Sequence, residues 1–250
     1  MSARHDLIGI KQILRLDWLE KTTNLLFAGM EGKYIRKELH DFLGCQKSCD
    51  AEGERSEQTR TFAVNNLMKI WVSPESELVD FRNAALALLR KQPSMALAIH
   101  WAVISAAYPF WFNVARQTGR LLNLQDQVTQ QQIANRLKEQ YGDRQTISRY
   151  ARYVIRSFVE WGVLKDAETK GCYEKAAVVT ISDQNLAILM LEAALQTSPE
   201  GKGALGLLLN NPAFFPFSLP VMSGDLVTRQ TDRIDVVRYG MDDEMLKLKM

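Results

Sequence analysis

Cysteine, histidine and proline are all scarce in this 250-residue chain, with 3, 3 and 7 copies respectively. Three cysteines (Cys45, Cys49 and Cys172) are too few and too uneven for a disulfide scaffold, and they suit a reducing compartment. His40, Cys45 and Cys49 resemble part of a metal site. Structural zinc takes four ligands, usually as two close pairs, and the remaining cysteine lies far along the chain. Ordinary thiols and no bound metal are therefore expected. His5, His40 and His100 are scattered and form no His-Glu-x-x-His motif. A Gly-x-Ser-x-Gly elbow and a Walker loop are also missing, and Gly201-Lys202-Gly203 lacks the Gly-Lys-Ser/Thr order that cradles phosphate. The sequence thus predicts no catalytic residues and no cofactor. Charge of one sign is missing too: 31 Lys and Arg against 29 Asp and Glu leave a formal +2. A polybasic nucleic-acid coat is excluded, and any nucleic-acid contact must come from local arrangement of charge.

What is present is ordinary globular composition, 46% hydrophobic and 24% charged, enough for real cores. One run stands out. Residues 95–112, MALAIHWAVISAAYPFWF, carry no formal charge and approach the minimum length of a membrane span. His100, Ser105 and Pro109 interrupt the run, and its many alanines add little insertion energy. A helix buried on all sides fits better, so no membrane partner is expected. The opening Met-Ser-Ala-Arg-His-Asp lacks the apolar core of a secretory leader, which points to a cytoplasmic protein.

Periodicity divides the chain into three parts: 1–120, 121–182 and 183–250. The first is helical, with helices expected over parts of 7–27 and over 34–43, 59–71 and 76–90, and with a polar surface loop at 44–58. In the second, a helix from Thr129 to about Gln140 stops at Gly142, and Asp143 caps a second helix ending at Gly162. VLKD and AAVVTIS then form a hairpin around a polar turn, ETKGCYEK. Helix, turn, helix and hairpin is the order of a winged helix-turn-helix. The third part repeats the theme more loosely: a helix over 184–196, a short helix over 203–209, a proline-broken segment over 212–222, and a short helix capped by Ser223. A terminal hairpin turns around Gly240-Met241-Asp242. The fold class expected is mainly α with small β-hairpins, a helical domain followed by two winged-helix-like modules.

The strongest local signal is one helix face. Gln145, Ser148, Arg149, Arg152 and Arg156 are spaced so that they fall on one stripe, with Ile147, Ala151, Val154, Phe158 and Trp161 opposite. Arg144 opens the helix, and no acidic residue interrupts the sequence from there to Val159. A helix fits the major groove of B-DNA, where Arg bonds guanine and Gln bonds adenine. Gln145, Ser148 and Arg149, near the helix start, are placed to read bases, whereas Arg152 and Arg156 are placed to grip phosphates. Lys165, Lys170 and Lys175 around the hairpin, and Gln130, Gln131 and Arg136 on the preceding helix, are secondary contacts. The partner implied is double-stranded DNA. A solvated helix face and a protein-docking surface are the alternative readings of the same stripe, and a transcriptional regulator with an N-terminal sensing domain is a third.

Several segments carry a family likeness: RSFVEWGVL before the hairpin, LLLNNPAFFPFSL, the terminal DRIDVVRYG, and more loosely TRTFAVNNLMKIW with the apolar run. In this succession the chain resembles the BrxA family of BREX-type bacteriophage-defence systems. The resemblance implies a non-catalytic DNA-binding accessory protein that acts beside methyltransferase and ATPase components. It transfers no catalytic residue, and the arginines of the 144–156 helix correspond only as an element.

Overall fold

The computed structural model describes residues 3–6, 8–46, 56–239 and 243–249. Cys49, most of the 44–58 loop and the turn at 240–242 lie outside them. The first half is helical: a 3-10 turn (Ala3–Asp6), α1 (Leu16–Phe27), α2 (Gly32–Gly44), α3 (Glu57–Leu67), α4 (Val79–Lys91), α5 (Ala96–Ala107) and α6 (Pro109–Leu122). A π-helical turn, Met68–Val72, continues α3. The second half mixes short strands with helices: β1 (Gln127–Thr129), α7 (Gln130–Tyr141), α8 (Gln145–Glu160), β2 (Leu164–Asp166), β3 (Cys172–Lys175) and β4 (Val179–Thr180). Then come α9 (Gln184–Gln196), β5 (Lys202–Ala204), α10 (Leu205–Leu209), β6 (Phe217–Ser218), α11 (Gly224–Gln230), β7 (Ile234–Tyr239) and β8 (Asp243–Leu248).

The apolar run forms the centre of the molecule as two helices. Pro109 cannot supply the amide hydrogen that would continue α5, so the chain turns by 117° and α6 starts there. Every residue from Ala98 to Ala115 is buried, and among the described residues no single helix is long and apolar enough to cross a membrane. α5 packs along α9 and against α1 and α4. Trp101 stacks on Phe158 with ring centroids 4.9 Å apart and meets Trp111, Trp161, Phe215 and Phe217 edge-on. Each such pair adds about 0.5–1.5 kcal/mol beyond its area burial. Both halves thus share one cluster, and the 120/121 division falls near the end of α6.

Other contacts fasten the helical half to the strand-bearing half. Trp161 Nε1 donates to Leu14 O at 2.9 Å, and Leu14 N donates to Ser157 Oγ at 2.9 Å. Both bonds lie on the inner side of α8 and fix its position from behind. At Gly119 of α6 the carbonyl of Pro212 comes so close that an added Cβ would sit 1.9 Å from its oxygen.

Two sets of elements share one topology. α6, β1, α7, α8, β2 and β3 form the first, with an antiparallel sheet ordered β1-β3-β2. α9, β5, α10, α11, β7 and β8 form the second, with an antiparallel sheet ordered β5-β8-β7. In both, a three-residue strand leads straight into a helix and pairs with the last strand.

Two sequence expectations need correction here. The second strand of the first hairpin is Cys172–Lys175, not AAVVTIS. Gly171, at φ +81°, closes a tight turn, and Tyr173 then buries its ring. The β-branched stretch instead supplies β4, which pairs in parallel with β6. Asp143 does not cap α8: it pairs with Lys138 at 2.8 Å, and Arg144 occupies the cap position without a side-chain hydrogen bond.

Candidate nucleic-acid interface

The helix preceding the candidate face is firmly started. Thr129 Oγ1 accepts from Gln132 N at 3.0 Å and Gln132 Oε1 accepts from Thr129 N at 2.8 Å, a reciprocal capping box. Gly142, at φ +85°, ends α7 in a conformation that a side chain disfavours, and the chain re-enters a helix three residues later. This short turn sets α8 across α7.

Ile147, Ala151, Val154, Ile155, Ser157 and Phe158 of α8 are buried, so rotation of the helix is fixed by its core face. The opposite side presents Arg144, Gln145, Arg149 and Arg152 to solvent, with Ser148 half-buried beside them. Arg144, Arg149 and Arg152 make no ion pair among the described residues. Arg149 lies over the Tyr150 ring at 5.2 Å, and the Tyr150 and Tyr153 rings stack at 6.3 Å. An aromatic face under a guanidinium leaves its outer hydrogens available for an anion. No side chain caps α8 at Arg144, and a helix N-terminus beside Arg144 and Gln145 is a setting that favours phosphate oxygens.

Arg156 departs from the phosphate-gripping role assigned by spacing. Its Nη1 donates to Asp166 Oδ1 and Oδ2 at 2.6 and 2.8 Å. Burial opposes its charge, but the Asp166 carboxylate more than offsets that and raises its pKa. This pair ties α8 to β2. Lys165 is likewise engaged: its Nζ lies 2.8 Å from Glu174 Oε2 across the β2–β3 pair, and Gln127 Nε2 donates to the other oxygen at 2.8 Å. Those two hydrogen bonds lower the Glu174 pKa. Lys170, in the turn, and Lys175, at the end of β3, are exposed and make no ion pair among the described residues.

The α7 candidates are less uniform. Gln131 donates to Asn135 Oδ1 at 2.7 Å along its own helix, while Gln130 donates its backbone N–H to Gly171 O at 2.9 Å, joining α7 to the hairpin turn. Arg136 is half-buried and makes no ion pair among the described residues. Sequence reasoning missed the acids. Asp166 and Glu174 select which cations stay free, and only the cross-strand register of Lys165 with Glu174 makes one pairing readable once the hairpin is known.

The second set of elements distributes its charges differently. Arg238 reaches Asp225 at 2.5 Å and Glu244 at 3.3 Å, so this cation beside α11 is taken up, while Arg229 in the last turn of α11 is exposed and makes no ion pair among the described residues. Lys202 pairs with Glu200 at 2.6 Å and Lys249 with Asp235 at 3.3 Å. Arg233 forks onto the buried carboxylate of Glu192 with three hydrogen bonds of 2.9–3.1 Å.

Comparison of the chain with models of protein families, with curated protein sequences and with solved structures gave no match in any of the three.

Proposed function

We propose that β1, α7, α8 and the β2–β3 hairpin form a winged helix-turn-helix and that the protein binds double-stranded DNA through α8, without catalysis. The observation that carries this reading is the outer face of α8, where Arg144, Arg149 and Arg152 stand unpaired around Gln145 on a helix whose other side is locked into the core. Such a helix fits the major groove, with its N-terminal residues at the base edges. Gln145 and Arg149 read bases, Arg144 and Arg152 hold phosphates, and Lys170 and Lys175 approach the backbone from the hairpin. Arg156 and Lys165 serve the fold instead. The second set of elements is a second winged-helix-like module in which Lys202, Arg233, Arg238 and Lys249 are paired. The order of elements also supports a place in bacteriophage defence, beside methyltransferase and ATPase components, and neighbouring genes for such proteins would support it.

A duplex-binding selection followed by titration tests the reading. Arg149→Ala and Gln145→Ala are expected to narrow the gap between selected and random DNA by about 1–3 kcal/mol each. Failure of the wild-type protein to bind any duplex at low salt would overturn it, and a protein-docking role for the same face would take its place.

A further inference from the structure

Away from α8, a cavity of about 580 Å³ opens between α1, α4 and α5. Its size falls within the range of small-molecule sites. Phe27, Leu89, Pro93 and Ala96 supply apolar walls, and Glu20, Asn24 and Arg90 form an exposed polar rim. His100 also lines the cavity; it is fully buried, and neither of its ring nitrogens has a hydrogen-bond partner. Burial lowers its pKa to about 3, so the ring is neutral and offers one donor and one acceptor. The edge of Trp71 packs against it at 5.3 Å and 90°, which holds the ring in place. A buried polar group without a partner is destabilising unless a ligand or water satisfies it.

The rim carries both signs of charge. Glu20 and Arg90 make no ion pair among the described residues, and Arg90 rests over the Phe27 ring at 5.0 Å. A cavity with one free anion, one free cation, an aromatic wall and a polar end is complementary to a small zwitterion with a planar body and a hydrogen-bonding tip. We propose that this cavity binds a free aromatic amino acid of the tryptophan or tyrosine type. Its carboxylate meets Arg90, its ammonium meets Glu20, its ring packs between Phe27 and Leu89, and its N–H or O–H tip reaches His100. The site is separate from the α8 face, and its test uses no DNA.

Thermal unfolding of the full chain with a panel of probes provides that test. L-tryptophan or L-tyrosine at ten times its Kd is expected to raise Tm by roughly 3–6 °C. L-phenylalanine, which has no polar tip, is expected to bind about tenfold or more weakly, because His100 is left unsatisfied. Tryptamine lacks the carboxylate and indole-3-propionate lacks the ammonium, so each is expected to lose affinity. The surface variants Arg90→Ala and Glu20→Ala are expected to fold and to bind L-tryptophan about tenfold more weakly. His100→Leu is expected to erase the preference for tryptophan and tyrosine over phenylalanine. The proposal is overturned if no probe at about 5 mM shifts the wild-type Tm. It is equally overturned if L-tryptophan binds Arg90→Ala and Glu20→Ala as well as wild type.

Discussion

The two strand-bearing modules share an order of elements and a strand order, yet they differ in how far nearby carboxylates take up the cations at α8 and α11. In the first, α8 is 16 residues long and carries arginines with no acid between them. In the second, the corresponding α11 has 7 residues, places Asp225 in its first turn, and lends that carboxylate to Arg238. The same topology therefore offers three unpaired arginines on one helix, whereas on the other Arg229 alone is unpaired among the described residues and the neighbouring Arg238 is neutralised. Topology sets where a helix sits, and the nearest carboxylates decide whether its cations are available.

The largest effect is expected where the second module's charge pairing is buried. Glu192 is 1% exposed, and burial raises its pKa against the opposing pull of Arg233. Arg233→Ala leaves that carboxylate without its partner and is expected to cost about 3–5 kcal/mol in urea unfolding. The sign of the pH dependence follows. A carboxyl whose folded pKa is raised holds its proton longer in the folded state, so the variant loses stability as pH rises above the ordinary carboxyl range. The deficit is expected to be larger at pH 7 than at about pH 5. An equal deficit at both values would show that Glu192 is not the group left exposed to burial.

The junction between the modules comes next. Gly119→Ala puts a methyl group against the Pro212 carbonyl and is expected to cost about 1–3 kcal/mol, because the backbone there must move. If the modules share one core, a single cooperative transition shifts, as chemical unfolding followed by two probes would reveal. Separate transitions would instead mean that they unfold independently.

How much of this contrast the sequence carries differs between the two faces. The stripe Gln145, Arg149 and Arg152 is readable because helical periodicity places it opposite Ile147, Ala151 and Val154. The engagement of Arg156 is not readable, since Asp166 is brought to it by the packing of β2 on α8. β1 and β5 are three residues each, too short for an alternating pattern to announce them. AAVVTIS has strand composition and does contain a strand, but which partner a strand chooses is a tertiary matter. The buried run at 98–115 is legible in composition, while its sharp bend is announced only by Pro109.

Smaller effects sharpen the comparison. Freeing Arg238 by Asp225→Asn with Glu244→Gln is expected to raise duplex affinity about two- to fivefold at low salt, if charge availability is what separates the modules. Unchanged affinity in an electrophoretic shift titration would mean that α11 is excluded by shape rather than by charge. Arg156→Ala removes an exposed ion pair and is expected to cost at most about 1 kcal/mol of stability, leaving the salt slope of DNA binding unaltered.

The central claim is that α8, through its free arginines, is the DNA-binding element. Fluorescence anisotropy of a labelled duplex across a series of salt concentrations tests it most directly, with wild type compared against Arg144→Ala/Arg152→Ala. The account predicts that log affinity falls linearly with log salt and that the double variant, still folded, shows a slope shallower by about two units, because two phosphate-neutralising charges are lost. A folded double variant with the wild-type affinity and slope would contradict it.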